Sequence, residues 1–174
     1  MEKSSSPLFA ATARIDLTNP QPSGKVLDPL YAKVLVLQNA QKTLILITMD
    51  VTAIAGRQIS DGMLPDGGED FMPKLRRILE RDWHLAADGL LVNASHTHPA
   101  GRLLCDDEEQ LERVVSACRE AMQHLVPARI GFGRASAQGF IMNRNLALNN
   151  GRDGTLRHTN PTPPDEQVAG VRRV

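Results

Sequence analysis

The stretch TLILITMD, Thr43 to Asp50, decides how this chain folds. It is apolar at nearly every position and ends in a carboxylate, the composition of a strand buried on both faces. Just upstream lies LYAKVLVLQN, Leu30 to Asn39, and a short polar loop around NAQK separates the two runs. Apolar, β-branched segments joined in this way pair as a hairpin. Downstream, Val51 to Asp70 reads as loop, with glycines and a proline between acids in DGMLPDGGED. Leu75, Ile78, Leu79 and Trp83 then recur at helical spacing and predict a helix over 71–86. ADG closes it, and LLVNAS, Leu90 to Ser95, starts a further strand. Strand, helix and strand in that order imply parallel strands joined by a right-handed crossover.

The rest of the chain fits around this unit. Leu8 to Leu17 forms a first strand before the turn region of Pro20 and Pro22. A second helix is expected from Asp106 to Leu125, because DDEEQ places acids where exposed N–H groups and the helix dipole favour negative charge. Leu111, Val114, Val115, Cys118, Met122 and Leu125 define its apolar stripe. Pro127 stops that helix, and ARIGFGRA, residues 128–135, supplies another strand. After Ala137 the sequence turns rich in Asn, Gly, Pro and Arg and loses periodicity beyond GFIMN. The expected architecture is α/β, a mixed or mainly parallel sheet with flanking helices. It forms a single domain over 1–174, with 138–174 as a loosely packed arm.

Composition removes several classes of function. The chain of 174 residues carries 20 Lys plus Arg and 20 Asp plus Glu. That balance, with one Trp, one Tyr and no basic stripe, gives no footing for nucleic acid. A net charge near zero does little to keep molecules apart, which leaves self-association open. No apolar run approaches the roughly 18 residues of a membrane span, and no secretory h-region opens the chain, so it is expected to be soluble. Cys105 and Cys118 are too few for a disulfide scaffold and lack metal-ligand spacing. Cys118 falls on a helix face, and the acids beside Cys105 argue against a reactive thiolate.

The chemistry concentrates in VNASHTHPAG, Val92 to Gly101. Ligands of α/β sheets gather at the carboxyl ends of strands, and two predicted strands end there in polar residues. Asp50 ends one; Asn93, Ser95, His96 and His98 follow the other. Alternate histidines are able to hold zinc, although a catalytic zinc ion needs three protein ligands and an open position. The plain reading of both histidines is hydrogen bonding within a tight turn. Asp50 reads as a ligand, as a partner that orients an imidazole, or as a strand-end turn residue. His84 and His124 fall in helices away from this edge, and His158 lies in the tail. Arg144, in IMNRNLALNNG, suits a guanidinium that holds a carboxylate or hydroxyl of a ligand, against the reading of a solvated arginine.

Four pieces, ATARIDLTNP, LYAKVLVLQNAQKTLILITMDV, VNASHTHPAG and ARIGFGRASAQGFIMNRNLALNN, follow one another in an order and spacing that resemble the N-terminal domain of the neutral/alkaline (non-lysosomal) ceramidases. The resemblance covers roughly Phe9 to Asn150. It implies a zinc-dependent amidase that cleaves the N-acyl bond of ceramide, with a lipid or other N-acyl amide as partner, in a family whose members are often secreted. It also implies that His96 is a zinc ligand, that His98 and Arg144 lie in the active site by the substrate's polar head, and that Asp50 supports them.

Departures accompany the match. The family's remaining ligands, a second histidine, a glutamate and a tyrosine, come later in a longer chain. His124 and His158 stand in no such context, and Tyr31 comes too early. Pro99-Ala100-Gly101 replaces the family's Ser-Gly-Pro. Two accounts follow: a fragment of a larger family member, toward which the ending VAGVRRV tips the expectation, or a short homologue that lost or rebuilt the chemistry. A small metallohydrolase using His96, His98 and Asp50, and a non-catalytic domain of the same fold, are the other readings.

Overall fold

The computed structural model describes residues 6–22, 24–54, 67–98 and 103–136, and the backbone of 145–147 and 153–155. The chain divides into two units, Met1–Ile130 and Gly131–Val174. In the first, strands β1 (Leu8–Asp16), β2 (Tyr31–Gln38), β3 (Thr43–Met49), β4 (Leu90–Ala94) and β5 (Val126–Ala128) form one sheet in the order β4-β3-β2-β1-β5. Helices α1 (Phe71–Trp83) and α2 (Asp107–Gln123) accompany it. In the second unit, β6 (Asn145–Ala147) and β7 (Asp153–Thr155) pair antiparallel, with Leu146 opposite Gly154.

The β2–β3 hairpin forms where the sequence predicts it. Asn39 builds its turn: the side-chain oxygen accepts from the N–H groups of Gln41 and Lys42 at 2.9 and 2.8 Å. An asparagine that bonds backbone two residues on is a turn former in its own right. The predicted crossover is present too, because β3 and β4 pair in parallel from Ile45–Leu90 to Met49–Ala94. Gly89, before β4, cannot carry a side chain, since a Cβ there would stand 2.8 Å from the Thr43 carbonyl oxygen.

Three expectations are corrected. Of the two expected sheets, mixed or mainly parallel, the mixed one is found and the mainly parallel one falls: β3–β4 is the one parallel pair of the sheet. The four-residue connection of β2 to β3 permits only an antiparallel pair, and among the sheet's neighbouring strands the helix-bearing crossover joins β3 to β4 alone. The strand expected over 128–135 is displaced to β5, where Pro127 pairs with Phe9 at the sheet edge. An edge strand tolerates a residue without an N–H. Beyond it Ile130 and Phe132 are 51% and 97% exposed, so these apolar residues have no sheet neighbour to bury them. Finally, β3 is fully buried on one face only. Ile45, Ile47 and Met49 are inaccessible, whereas Leu44, Leu46 and Thr48 are half-buried.

That asymmetry follows from the layers. α2 packs against β1 and β2, and α1 lies beside α2. The core between helices and sheet takes Ala32, Val34 and Val36 from β2, Leu75 and Leu79 from α1, and Val114, Ala117 and Cys118 from α2. Each large aliphatic residue buried there contributes about 1.5–3 kcal/mol. α2 starts as the acids predict, with the Asp106 carboxylate accepting from the Glu109 N–H at 2.9 Å. Arg113, two turns on, donates to the carbonyls of Asp16 and Thr18 and pairs with Glu109, fastening the helix to the carboxyl end of β1.

Candidate functional site

The carboxyl ends of β3 and β4 lie side by side, as parallel pairing requires. The ladder runs one step past β4, where the Ser95 N–H donates to the Met49 carbonyl at 2.9 Å. His96 then leaves the extended conformation with φ of 61°. A left-handed backbone costs a residue with a Cβ roughly 1–2 kcal/mol. Two hydrogen bonds between the strand ends hold it there. The Nδ1 of His96 lies 3.0 Å from the Thr52 carbonyl oxygen, and the Thr52 hydroxyl donates to the Thr97 carbonyl at 3.0 Å. The hydroxyls of Ser95 and Thr97 stand 2.7 Å apart.

A carbonyl oxygen can only accept, so the bond from Nδ1 places the proton of a neutral His96 ring on that nitrogen. Nε2 is then the nitrogen with a lone pair. His96 is exposed, and the ring of His98, also exposed, meets it edge-on with centroids 4.7 Å apart. The His96 imidazole is thus exposed, tethered through Nδ1, and carried on a backbone held in an unfavourable conformation.

Asp50 lies at the same rim but faces other partners. Its carboxylate accepts from the Tyr31 N–H at 3.2 Å and meets the Lys33 ammonium at 3.5 Å, while its own N–H donates to the Tyr31 carbonyl at 2.8 Å. It therefore braces the start of β2. Among the described residues no three His, Cys, Asp or Glu side chains gather as a metal cluster, and His96, His98 and Asp50 are all described. Arg144 and His158 lie outside the described residues.

The other titratable candidates are accounted for structurally. His84 caps α1, and the Nδ1 of His124 donates to the Glu120 carbonyl at 2.7 Å. Burial pushes the Cys118 thiol up to about 12. Burial is also the first cause that raises Cys105 to about 11; Arg113 pulls down and Glu109 adds upward. Neither is a thiolate at neutral pH, as the adjacent acids led one to expect for Cys105. Thr52 is the residue that sequence reasoning missed. Its carbonyl carries no compositional signal, although the parallel register sets the residues after Met49 beside those after Ala94.

No protein-family model and no curated protein sequence matches the chain. Solved structures do. Neutral ceramidase from Pseudomonas aeruginosa superposes with a TM-score of 0.52 at 15% identity over 71% of this chain. A ceramidase complexed with C2 superposes with a TM-score of 0.51 at 16% identity over the same share. The chain spans 23% and 22% of the length of those two proteins. The first unit's mixed five-stranded sheet with its two helices is thus a ceramidase-like α/β fold. No helix among the described residues is long and apolar enough to cross a membrane.

Proposed function

We propose that this chain contributes the strand-end portion of a zinc-dependent hydrolase acting on N-acyl amides, ceramide among them. The tether of His96 carries the reading: its Nδ1 donates to the Thr52 carbonyl, which leaves Nε2 for a metal. The fit to zinc is that of one leg. His96 is the ligand; no three His, Cys, Asp or Glu side chains gather among the described residues, so the ligand set is completed outside them. Zinc bound there supplies Lewis acidity toward an amide carbonyl.

The remaining roles belong to the chain's own side chains. His98, edge-on to His96, donates to the oxygen on which charge develops as the amide is attacked. Arg144 orients the polar head of the substrate. Asp50 acts at one remove by fixing β2 against β3 and holding the rim in register. A second reading, a domain of the same fold without turnover, draws on the lack of a three-ligand cluster among the described residues.

Metal content separates the two. Protein purified without added zinc retains the metal in the unaltered chain and loses it in His96→Ala. Equal and negligible metal in both removes the zinc reading. Release of a primary amine from an N-acyl amide, abolished in His98→Ala with metal retained, assigns the hydrolysis.

A further inference from the structure

The sheet face opposite the helices carries two dissimilar rows of side chains. Register aligns Thr12, Leu35, Leu46 and Leu91 across β1, β2, β3 and β4, and next to them Arg14, Lys33, Thr48 and Asn93. The first row is mainly apolar, and Leu91 is 58% exposed. The second row opens with two cations directly opposite one another, an arrangement that repels and destabilises a strand pair. Lys33 is partly relieved by Asp50 at 3.5 Å. Arg14 has no such relief: its guanidinium stacks 4.3 Å over the Tyr31 ring and makes no ion pair among the described residues. Stacking occupies the guanidinium face and leaves its in-plane N–H groups for an oxyanion.

A cavity of about 570 Å³ follows the β1 to β3 part of these rows, lined by Thr12, Arg14, Lys33, Leu35, Leu46 and Thr48, with Glu120 of α2 at its margin; Leu91 extends the apolar row beyond it. Small-molecule sites run from roughly 300 to 1,000 Å³. We propose that this face binds a single-chain anionic amphiphile, its head group between Arg14 and Lys33 and its chain along the row from Leu35 to Leu91. Leu35 to Leu91 crosses two strand spacings, about 10 Å, which sets the length of chain in contact with the row. The like-charge pair is then a binding feature: an oxyanion between Arg14 and Lys33 turns their repulsion into two charge-assisted hydrogen bonds. Binding at this face does not rest on zinc or on His96; Lys33 also meets Asp50, so Arg14→Gln alone tests the face without touching the rim.

Calorimetric titration with dodecanoate below its micellar concentration tests it. One equivalent binds the unaltered chain, and the Arg14→Gln/Lys33→Gln variant binds about ten-fold more weakly or worse. Arg14→Lys/Lys33→Arg, which keeps both charges, retains binding. Dodecyltrimethylammonium, with the same tail and the opposite charge, does not bind. Undiminished binding by the double glutamine variant overturns the proposal, as does equal binding of the cationic amphiphile. Sedimentation with anionic phospholipid vesicles without affinity for dodecanoate also overturns it, in favour of a bilayer surface. Circular dichroism of the glutamine variant confirms its fold; if that variant unfolds, Arg14→Gln alone provides the same comparison.

Discussion

His84 and His96 share a backbone state that other described residues with a side chain avoid, φ of 51° and 61°. At His84 the fold itself accounts for it. The His84 N–H donates to the Glu80 carbonyl at 2.9 Å, and the Leu85 N–H reaches back to Leu79 at 3.4 Å, which ends α1 in the manner that usually recruits a glycine. The imidazole there is exposed and makes no hydrogen bond or ion pair among the described residues. At His96 the ring is tied to the Thr52 carbonyl and set edge-on to His98. One strained histidine caps a helix; at the other the backbone presents the ring. Strain alone therefore does not mark a functional residue; what sets His96 apart from His84 is the tethered ring.

Replacing each histidine by glycine breaks the comparison most directly. His96→Gly abolishes zinc retention and leaves the fold intact; His84→Gly leaves zinc retention unchanged. Loss of metal in both, or in neither, erases the distinction. Next in size is Leu79→Ala, which empties a fully buried position under the cap of α1 and costs about 2–5 kcal/mol in denaturant unfolding.

An alkaline pH series probes the core between helices and sheet, where Cys118 is buried. The Cys118 thiol rises from 9.0 to about 12, so the unfolded chain gives up its proton first. Stability is full below pH 9 and falls as pH climbs toward 12, by on the order of 4 kcal/mol for this group. Cys118→Ala flattens that limb; an unchanged slope sinks the assignment. Thr52→Val removes the hydroxyl bond to the Thr97 carbonyl but keeps the carbonyl that holds His96, and lowers stability by about 1 kcal/mol. The smallest effect is a gain: His84→Gly stabilises by about 1 kcal/mol, because glycine meets no Cβ penalty in the left-handed region. A loss there would show that the His84 side chain has a role that the cap does not reveal.

Much of this was legible in the chain. Periodicity located the β2–β3 hairpin, the β3–α1–β4 crossover and the acidic start of α2, because each element's face is written in residues two, three or four positions apart. The same patterns put Asp50 and the His96–His98 pair at one rim, and the matched structures support the ceramidase-like fold that the resemblance implied. The β6–β7 pair was not legible, since three-residue strands carry too few side chains to set a period.

The amino-acid order by itself determined which segments are strands and helices and which polar residues close them, through local interactions that need no partner beyond a few residues. Tertiary structure alone decided the strand order β4-β3-β2-β1-β5, that helices cover one face of the sheet, and that Asp50 turns to Tyr31 and Lys33 while His96 turns to Thr52. Those outcomes depend on backbone carbonyls, N–H groups and charges brought together from positions 17 to 44 residues apart, and no single segment encodes them.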